Sequence, residues 1–314
     1  MGKLFDVALI GFIVLSILVV VAESIKSWDA VIGLFWVSWC WLTLAYRRWH
    51  RKVVAEPVLA RRKQHRKRKG DAGVRIGGFQ KLTLLDYPGR MACIVFTMGC
   101  NFCCPFCHNA GLLGGQAQEA GRKEEGRKEE AAAEEEIFAY LKKRQGLLDG
   151  LVLTGGEPLL WKDTADFLRR VRALGYSIKL DTNGSFPGRL KGLLDEGLVD
   201  YVAMDIKHSR EKYPAAAGCG CEGILPAVEE SLGILRESGI PFELRTTLVK
   251  GIHREEDMEA LAAWIAGNQP YYLQNYVDSG NVLRPEGLSS FSPEELSRML
   301  QIVRRHCPAA EIRG

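Results

Sequence analysis

Residues Cys100-Asn-Phe-Cys-Cys-Pro-Phe-Cys107 crowd four thiols into eight positions directly after an apolar stretch. Read as C-x3-C-x2-C, the run selects Cys100, Cys104 and Cys107, with Phe106 immediately before the last of them. Three thiolates so spaced can hold three irons of a [4Fe-4S] cluster and leave the fourth iron open to a second bound reactant. The same residues also spell two C-x2-C pairs, which a four-thiolate zinc site would use. Adjacent Cys103 and Cys104 are poorly placed to face one metal, and zinc pairs are usually separated by a longer spacer. On the first reading Cys103 is a free thiol.

Further polar motifs close other apolar runs. Thr154-Gly-Gly-Glu-Pro158 places Gly155 48 positions after Cys107. Gly155 and Gly156 can expose backbone N–H and C=O groups to a closely bound ligand, while Glu157 and Pro158 fix the turn. Asp181-Thr-Asn-Gly184 and Asp205-Ile-Lys207 follow at the ends of the next two runs. Taken singly, Asp181 and Asp205 can be strand-end caps. With Asn183 and Lys207 at one rim they favour a ligand site. His108 falls beside the cysteines, and His208 and His253 stand at strand ends as further rim positions. Cys219-Gly-Cys221 reads as a structural loop, with an auxiliary metal or redox pair as the alternative. Cys40, Cys93 and Cys307 read as small packing residues.

What positions these motifs is an α/β alternation that begins near Val74. Strands are expected at 91–97, 151–154, 177–181, 201–206, 242–248 and 271–275. Most are short apolar runs, as in parallel strands covered on both faces. Helical faces lie between them: Phe167, Leu168, Val171 and Leu174 before Gly175, and Val228, Leu232 and Leu235 before Gly239. Ser292-Pro-Glu-Glu295 opens a helix with proline at its first position and a capping-box glutamate. Six β-then-α units predict an open partial (β/α)6 TIM-type barrel, short of the eight that close one. Active-site groups of such barrels lie at the C-terminal strand ends, where these motifs fall. Residues 114–136 interrupt the alternation with a GRKEE-GRKEE repeat followed by AAAEEE, a solvated low-complexity insertion.

The N-terminal part has a different texture. Residues 4–22 and 30–46 are almost wholly apolar, each near the lower limit of ~17–25 residues for a membrane span. The short intervening segment makes residues 1–46 an expected two-helix transmembrane hairpin. Residues 47–70 carry eleven Lys/Arg against Glu56, whereas the 244 residues beyond them carry a net −5. The positive-inside rule then places the chain after residue 46 in the cytoplasm, with 47–73 as a basic juxtamembrane linker and 74–314 as the catalytic part. Arg61-Arg-Lys-Gln-His-Arg-Lys-Arg-Lys69 reads as a tether to anionic lipid heads rather than a nucleic-acid patch. A buried soluble hairpin and a signal peptide cleaved after Ala22 are the alternatives. A translation start near Val74 is another, and would make the protein simply cytoplasmic. Nine cysteines, four in one loop, are an odd and uneven set that fits a reducing compartment better than a disulfide scaffold.

The combination of C-x3-C-x2-C, an aromatic before the third cysteine and the GGEP turn resembles the radical S-adenosylmethionine superfamily. Ile76-Gly-Gly-Phe-Gln-Lys-Leu-Thr-Leu-Leu-Asp-Tyr-Pro-Gly89, Cys107-His-Asn109, DTNG and Met204-Asp-Ile-Lys207 resemble its glycyl-radical-enzyme activases. Among these the likeness is to activating proteins of anaerobic (class III) ribonucleoside-triphosphate reductases. It covers roughly residues 74–280, and residues 1–73 have no counterpart in it. Cys103 departs from it, standing where the family often has a basic residue.

The resemblance implies that Cys100, Cys104 and Cys107 ligate the cluster and that the open iron chelates S-adenosylmethionine. It places Phe106 near the adenine and the 155–158 turn at the methionine amino end. Asp181, Asn183, Asp205 and Lys207 surround the methionine and ribose, with Lys207 facing the carboxylate. Arg245 and the 248–251 turn close the adenosine side. The implied partners are a glycyl-radical enzyme, with anaerobic ribonucleotide reductase first, and a low-potential electron donor. A radical enzyme acting on another partner or a small molecule is the alternative. A membrane-anchored metal-binding interaction module is the alternative of another class, and the polar set at successive strand ends argues against it.

Overall fold

The computed structural model describes residues 74–113, 124–218 and 223–313. The expected transmembrane hairpin and basic linker lie outside the described residues, as do Cys40, Cys219 and Cys221. Among the described residues no helix is long and apolar enough to cross a membrane.

Eight strands form one sheet in chain order. The first two are β1 (Ile76–Thr83) and β2 (Ala92–Thr97), which pair antiparallel. Then come β3 (Gly150–Gly155), β4 (Ser177–Thr182), β5 (Tyr201–Asp205), β6 (Phe242–Leu248), β7 (Tyr271–Asn275) and β8 (Ala310–Arg313). Every pairing from β2 onward is parallel, and β1 and β8 stand at opposite ends of the order, so the sheet is open. Helices α1 (Glu124–Lys143), α2 (Thr164–Arg172) and α3 (Pro187–Asp195) follow β2, β3 and β4. The short α4 (Tyr213–Ala217) and α5 (Ile224–Glu237) follow β5, and α6 (Asp257–Ile265) and α7 (Pro293–Arg304) follow β6 and β7. The six expected βα units are therefore β2α1 to β7α7, flanked by two strands that sequence reading did not anticipate.

Local chemistry explains the elements. The α2 positions Phe167, Leu168 and Val171 are buried and share one stripe, leaving Arg169, Arg170 and Arg172 at its last turn. Basic residues there also complement the partial negative charge of a helix C-terminus. Helix α7 starts at the expected capping box, with Ser292 accepting the Glu295 N–H and the Glu295 side chain accepting the Ser292 N–H. Residues 124–136, expected as part of a solvated insertion, form the first part of α1, which Ile137, Phe138 and Leu141 anchor in the core.

The two faces of the sheet differ. Residues Cys93, Val95, Leu151, Leu153, Ile178, Leu180, Val202, Met204 and Leu244 belong to the large core shared with the helices. Burial of each such aliphatic side chain contributes ~1.5–3 kcal/mol. The alternate positions form a smaller apolar cluster of Tyr87, Ala92, Ile94 and Val152 with Phe96 and Tyr201. Beyond it, the same face carries Lys179 and Asp181 of β4, Asp205 of β5, and Glu243 and Arg245 of β6. Strand period two sends these charges to one side while their neighbours build the other. Register brings Asp181 beside Ala203, Ala203 beside Glu243, and Asp205 beside Arg245.

Candidate active site

The end of β2 runs through Met98 and Gly99 into the cysteine loop, which the end of β3 holds. Gly156 N–H donates to the Thr97 carbonyl at 2.9 Å, and Glu157 N–H donates to the Gly99 carbonyl at 2.8 Å. A Cβ on Gly156 would stand 1.9 Å from the Gly99 oxygen, and Gly155 combines φ +120° with a Cβ position 2.3 Å from the Thr97 nitrogen. The glycine pair is thus required for backbone to meet backbone. Sequence reading offered the glycine N–H groups to a ligand, but that of Gly156 is consumed by the loop. Of the turn's carbonyls, that of Gly155 accepts a hydrogen bond from the Asn109 amide at 3.4 Å.

Glu157 is likewise corrected from an expected ligand contact to a buried clamp. It is fully buried. Its carboxylate accepts hydrogen bonds from Leu159 N–H at 3.0 Å, Thr182 Oγ1 at 2.8 Å and Asn183 N–H at 2.7 Å. Burial pushes its pKa up to about 7, even though these donors favour the carboxylate. Pro158 is buried beside it, at the start of a 3-10 turn, and neither residue lines the cavity described next.

A cavity of about 150 Å³ lies at the C-terminal rim. Cys100, Cys104 and Cys107 line it with Phe102, Phe106, His108, Asn109, Gly155, Gly156, Asp205, Lys207 and Thr247. Cys103 is exposed and does not line it, which deprives a four-thiolate zinc site of one ligand. Burial pushes the Cys100 thiol up to about 12, with Glu157 adding to the effect, and burial also raises Cys107. These thiols therefore carry protons unless a cation takes their place. The Lys207 ammonium opposes the rise at both Cys100 and Cys107.

Lys207 pairs with Asp205 at 3.0 Å, and Arg245 joins Asp205 at 3.0 Å to Asp181 at 3.1 Å. Lys179 then reaches Asp181 at 3.0 Å and Glu243 at 3.7 Å, and Glu243 also meets Arg313 at 3.1 Å. Burial disfavours the charge on Asp205, but Lys207 and Arg245 override it and hold the pKa down to about 2. Burial would likewise lower Lys207, but Asp205 and the Cys104 sulfur hold it well above an ordinary amine. Alternating charges thus run from the cavity wall into the sheet. Asp181 belongs to this chain of ion pairs and does not line the cavity.

Asn183 also stands outside the cavity lining. His208 and His253, expected at the rim, are buried and stacked, with centroids 4.6 Å apart. His253 Nδ1 accepts the Val249 N–H at 3.2 Å, so its Nε2–H is the donor to the Lys207 carbonyl at 2.9 Å. Its ring meets Phe106 edge-on at 6.2 Å. Burial, with His208 alongside, pulls the His253 pKa down to about 4.

Among the described residues no three His, Cys, Asp or Glu side chains converge tightly enough for a single metal ion. In a cubane each thiolate meets its own iron, which a wider set of three thiols on one cavity suits. The adjoining Asp205–Lys207 pair and glycine wall suit a zwitterionic ligand on the fourth iron. The residues present therefore fit a [4Fe-4S] cluster with S-adenosylmethionine.

Residues 94–265 match the family model of the radical SAM superfamily. A protein of Methanocaldococcus jannaschii, named as a glycyl-radical enzyme activating enzyme, is 30% identical over 204 residues, 64% of this chain and 79% of that protein. The pyruvate formate-lyase 2-activating enzyme of Escherichia coli is 28% identical, over 63% of this chain and 75% of its own. The crystal structure of Streptococcus suis SuiB bound to precursor peptide SuiA shares the fold, with TM-score 0.52 and 16% identity, over 70% of this chain and 48% of that one. The family match spans more than half of the sequence and contains the whole cavity. The chain belongs to the radical SAM superfamily, enzymes whose cofactors are a [4Fe-4S] cluster and S-adenosylmethionine.

Proposed function

We propose that this enzyme is a glycyl-radical-enzyme activase, with anaerobic ribonucleotide reductase as its first candidate partner. The carrying observation is the single cavity shared by Cys100, Cys104, Cys107, the glycine turn and the Asp205–Lys207 pair. The names of the two relatives and the motifs at residues 76–89, 107–109, 181–184 and 204–207 support the choice of substrate class.

Cys100, Cys104 and Cys107 would hold the cluster, each giving up its thiol proton on binding iron. When bound, the cluster supplies one electron and S-adenosylmethionine the carbon radical that removes hydrogen from a glycine Cα of the partner. Lys207 offers the ligand carboxylate a cation, and its remaining donors are free for that role once Asp205 has taken one. Arg245 fixes Asp205 from behind, and His253 fixes the Lys207 backbone. Phe106, held edge-on by His253, offers an apolar wall for the adenine and limits water at the reacting end.

Residues 1–46 are proposed to tether the catalytic part to the cytoplasmic face of the membrane. The two apolar runs and the basic flank support this. Recovery of the native full chain in the soluble fraction without detergent would contradict the tether.

The activase reading is tested with purified anaerobic ribonucleotide reductase, S-adenosylmethionine and a chemical reductant under anaerobic conditions. A glycyl-radical doublet on the reductase is expected by electron paramagnetic resonance. A doublet on a different glycyl-radical enzyme alone would reassign the partner, and no doublet on any would contradict the reading.

A further inference from the structure

Asn183 is buried at the end of β4, and its amide orientation is fixed by its neighbours. Its Oδ1 accepts the Ser185 N–H at 2.9 Å and the Ser185 hydroxyl at 2.5 Å. A backbone N–H can only donate, so the oxygen of Asn183 must face Ser185 and its NH₂ must face the other way. On that side one proton goes to Asn101 Oδ1 at 3.0 Å. Asn101 Nδ2 returns to the Ser185 hydroxyl at 2.9 Å, closing a ring of three side chains. The second amide proton of Asn183 faces Cys100 Sγ, with the nitrogen 3.8 Å from the sulfur. The Phe102 N–H already donates to that sulfur at 3.4 Å.

We propose that Asn183 is a positioning residue that tunes the cluster through the Cys100 sulfur rather than a contact to S-adenosylmethionine. The inference rests on the reading that Cys100 ligates the cluster. Hydrogen bonds to cluster sulfurs disperse negative charge and so favour the reduced, more negative state. Asn183 therefore makes the cluster easier to reduce. The DTNG sequence serves this role through its fold: Glu157 takes the Asn183 N–H, Ser185 orients the amide, and Asn101 sits next to the ligand it helps to place.

The test compares reconstituted full-length wild type with Asn183→Leu and Asn183→Asp. Iron and sulfide content, the midpoint potential from a titration followed by electron paramagnetic resonance, and the equilibrium affinity for S-adenosylmethionine are measured on each. Asn183→Leu is expected to keep the cluster, shift its potential to a more negative value and bind S-adenosylmethionine within about twofold of wild type. Asn183→Asp, which replaces the donor by an anion, is expected to shift the potential further in the same direction. An unchanged potential in both variants overturns the proposal. So does a potential that stays put while S-adenosylmethionine affinity falls tenfold, since Asn183 would then be a ligand contact. Loss of the cluster from both variants overturns it too, making Asn183 a support of the loop. Cys100→Ala is the separate control: if it keeps a full cluster, the ligand reading has failed rather than the tuning.

Discussion

Glu157 Oε2 accepts the backbone N–H of Asn183 at 2.7 Å, so one fully buried carboxylate joins the turn after β3 to the turn after β4. The same glutamate donates its own N–H to Gly99, at the start of the cysteine loop. The ends of β2, β3 and β4 are thereby registered to one another.

Burial raises the Glu157 pKa from 4.5 to about 7. Between those values the folded chain holds a proton that the unfolded chain has lost, so this contribution is full below pH 4.5 and falls away as pH rises through 7. Its size is on the order of 3 kcal/mol. Urea unfolding of wild type and Glu157→Gln should show a stability gap that is larger at pH 5 than at pH 8. A gap that is constant or grows with pH would contradict the buried clamp.

His253 acts with the opposite sign. Burial lowers its pKa from 6.5 to about 4, so between those values the unfolded chain binds the extra proton. Its stabilising contribution is complete above pH 6.5 and is lost as pH falls toward 4. His253→Gln should therefore flatten the acid limb of the stability profile between pH 6.5 and 4. An acid limb as steep as in wild type would show that the ring is not held neutral.

Gly156 has no room for a side chain, because a Cβ would lie 1.9 Å from the Gly99 oxygen. Gly156→Ala should cost at least about 1–3 kcal/mol and lower the iron bound per chain after reconstitution. Gly192, inside α3 with nothing within 4 Å of its Cβ position, is the control. Gly192→Ala should leave iron content unchanged and raise stability by roughly 0.5–1 kcal/mol. Full iron loading of Gly156→Ala would show that the turn tolerates separation from the loop.

Lys207 carries the cation on the cavity wall. Lys207→Met should weaken S-adenosylmethionine binding about tenfold or more, ~1.4 kcal/mol, while iron content stays near wild type. Anaerobic equilibrium dialysis reads the affinity directly. Unchanged affinity would remove Lys207 from the ligand site.

Much of this was legible in the sequence. The six central strands were placed to within a residue or two because their apolar runs are bounded by glycine, proline and charge. Strand β1 was not, since Ile76-Gly-Gly-Phe-Gln-Lys-Leu-Thr83 mixes glycine and polar residues on a largely uncovered edge. Strand β8 is too short, at four residues, to show a period. The ion-pair chain was missed for a different reason. Lys179, Glu243 and Arg245 alternate with Ile178, Leu180, Leu244 and Thr246, but reading most of the strands as continuous apolar runs hid that alternation. Charges at every second position of a strand were the available signal. Glu157 and Asn183 were placed at the right rim, but a motif does not disclose whether a side chain meets ligand or protein. Only the partners of each oxygen and nitrogen decide that.

The central claim is that Cys100, Cys104 and Cys107 hold a cluster that serves S-adenosylmethionine in the cavity between β2, β3 and β5. The most direct measurement is 5′-deoxyadenosine formed by anaerobically reconstituted, reduced protein. Wild type and Cys103→Ala are expected to form it, and Cys104→Ala is expected to lose both the cluster and the product. No 5′-deoxyadenosine from wild type, or loss of the cluster in Cys103→Ala with its retention in Cys104→Ala, would contradict the account.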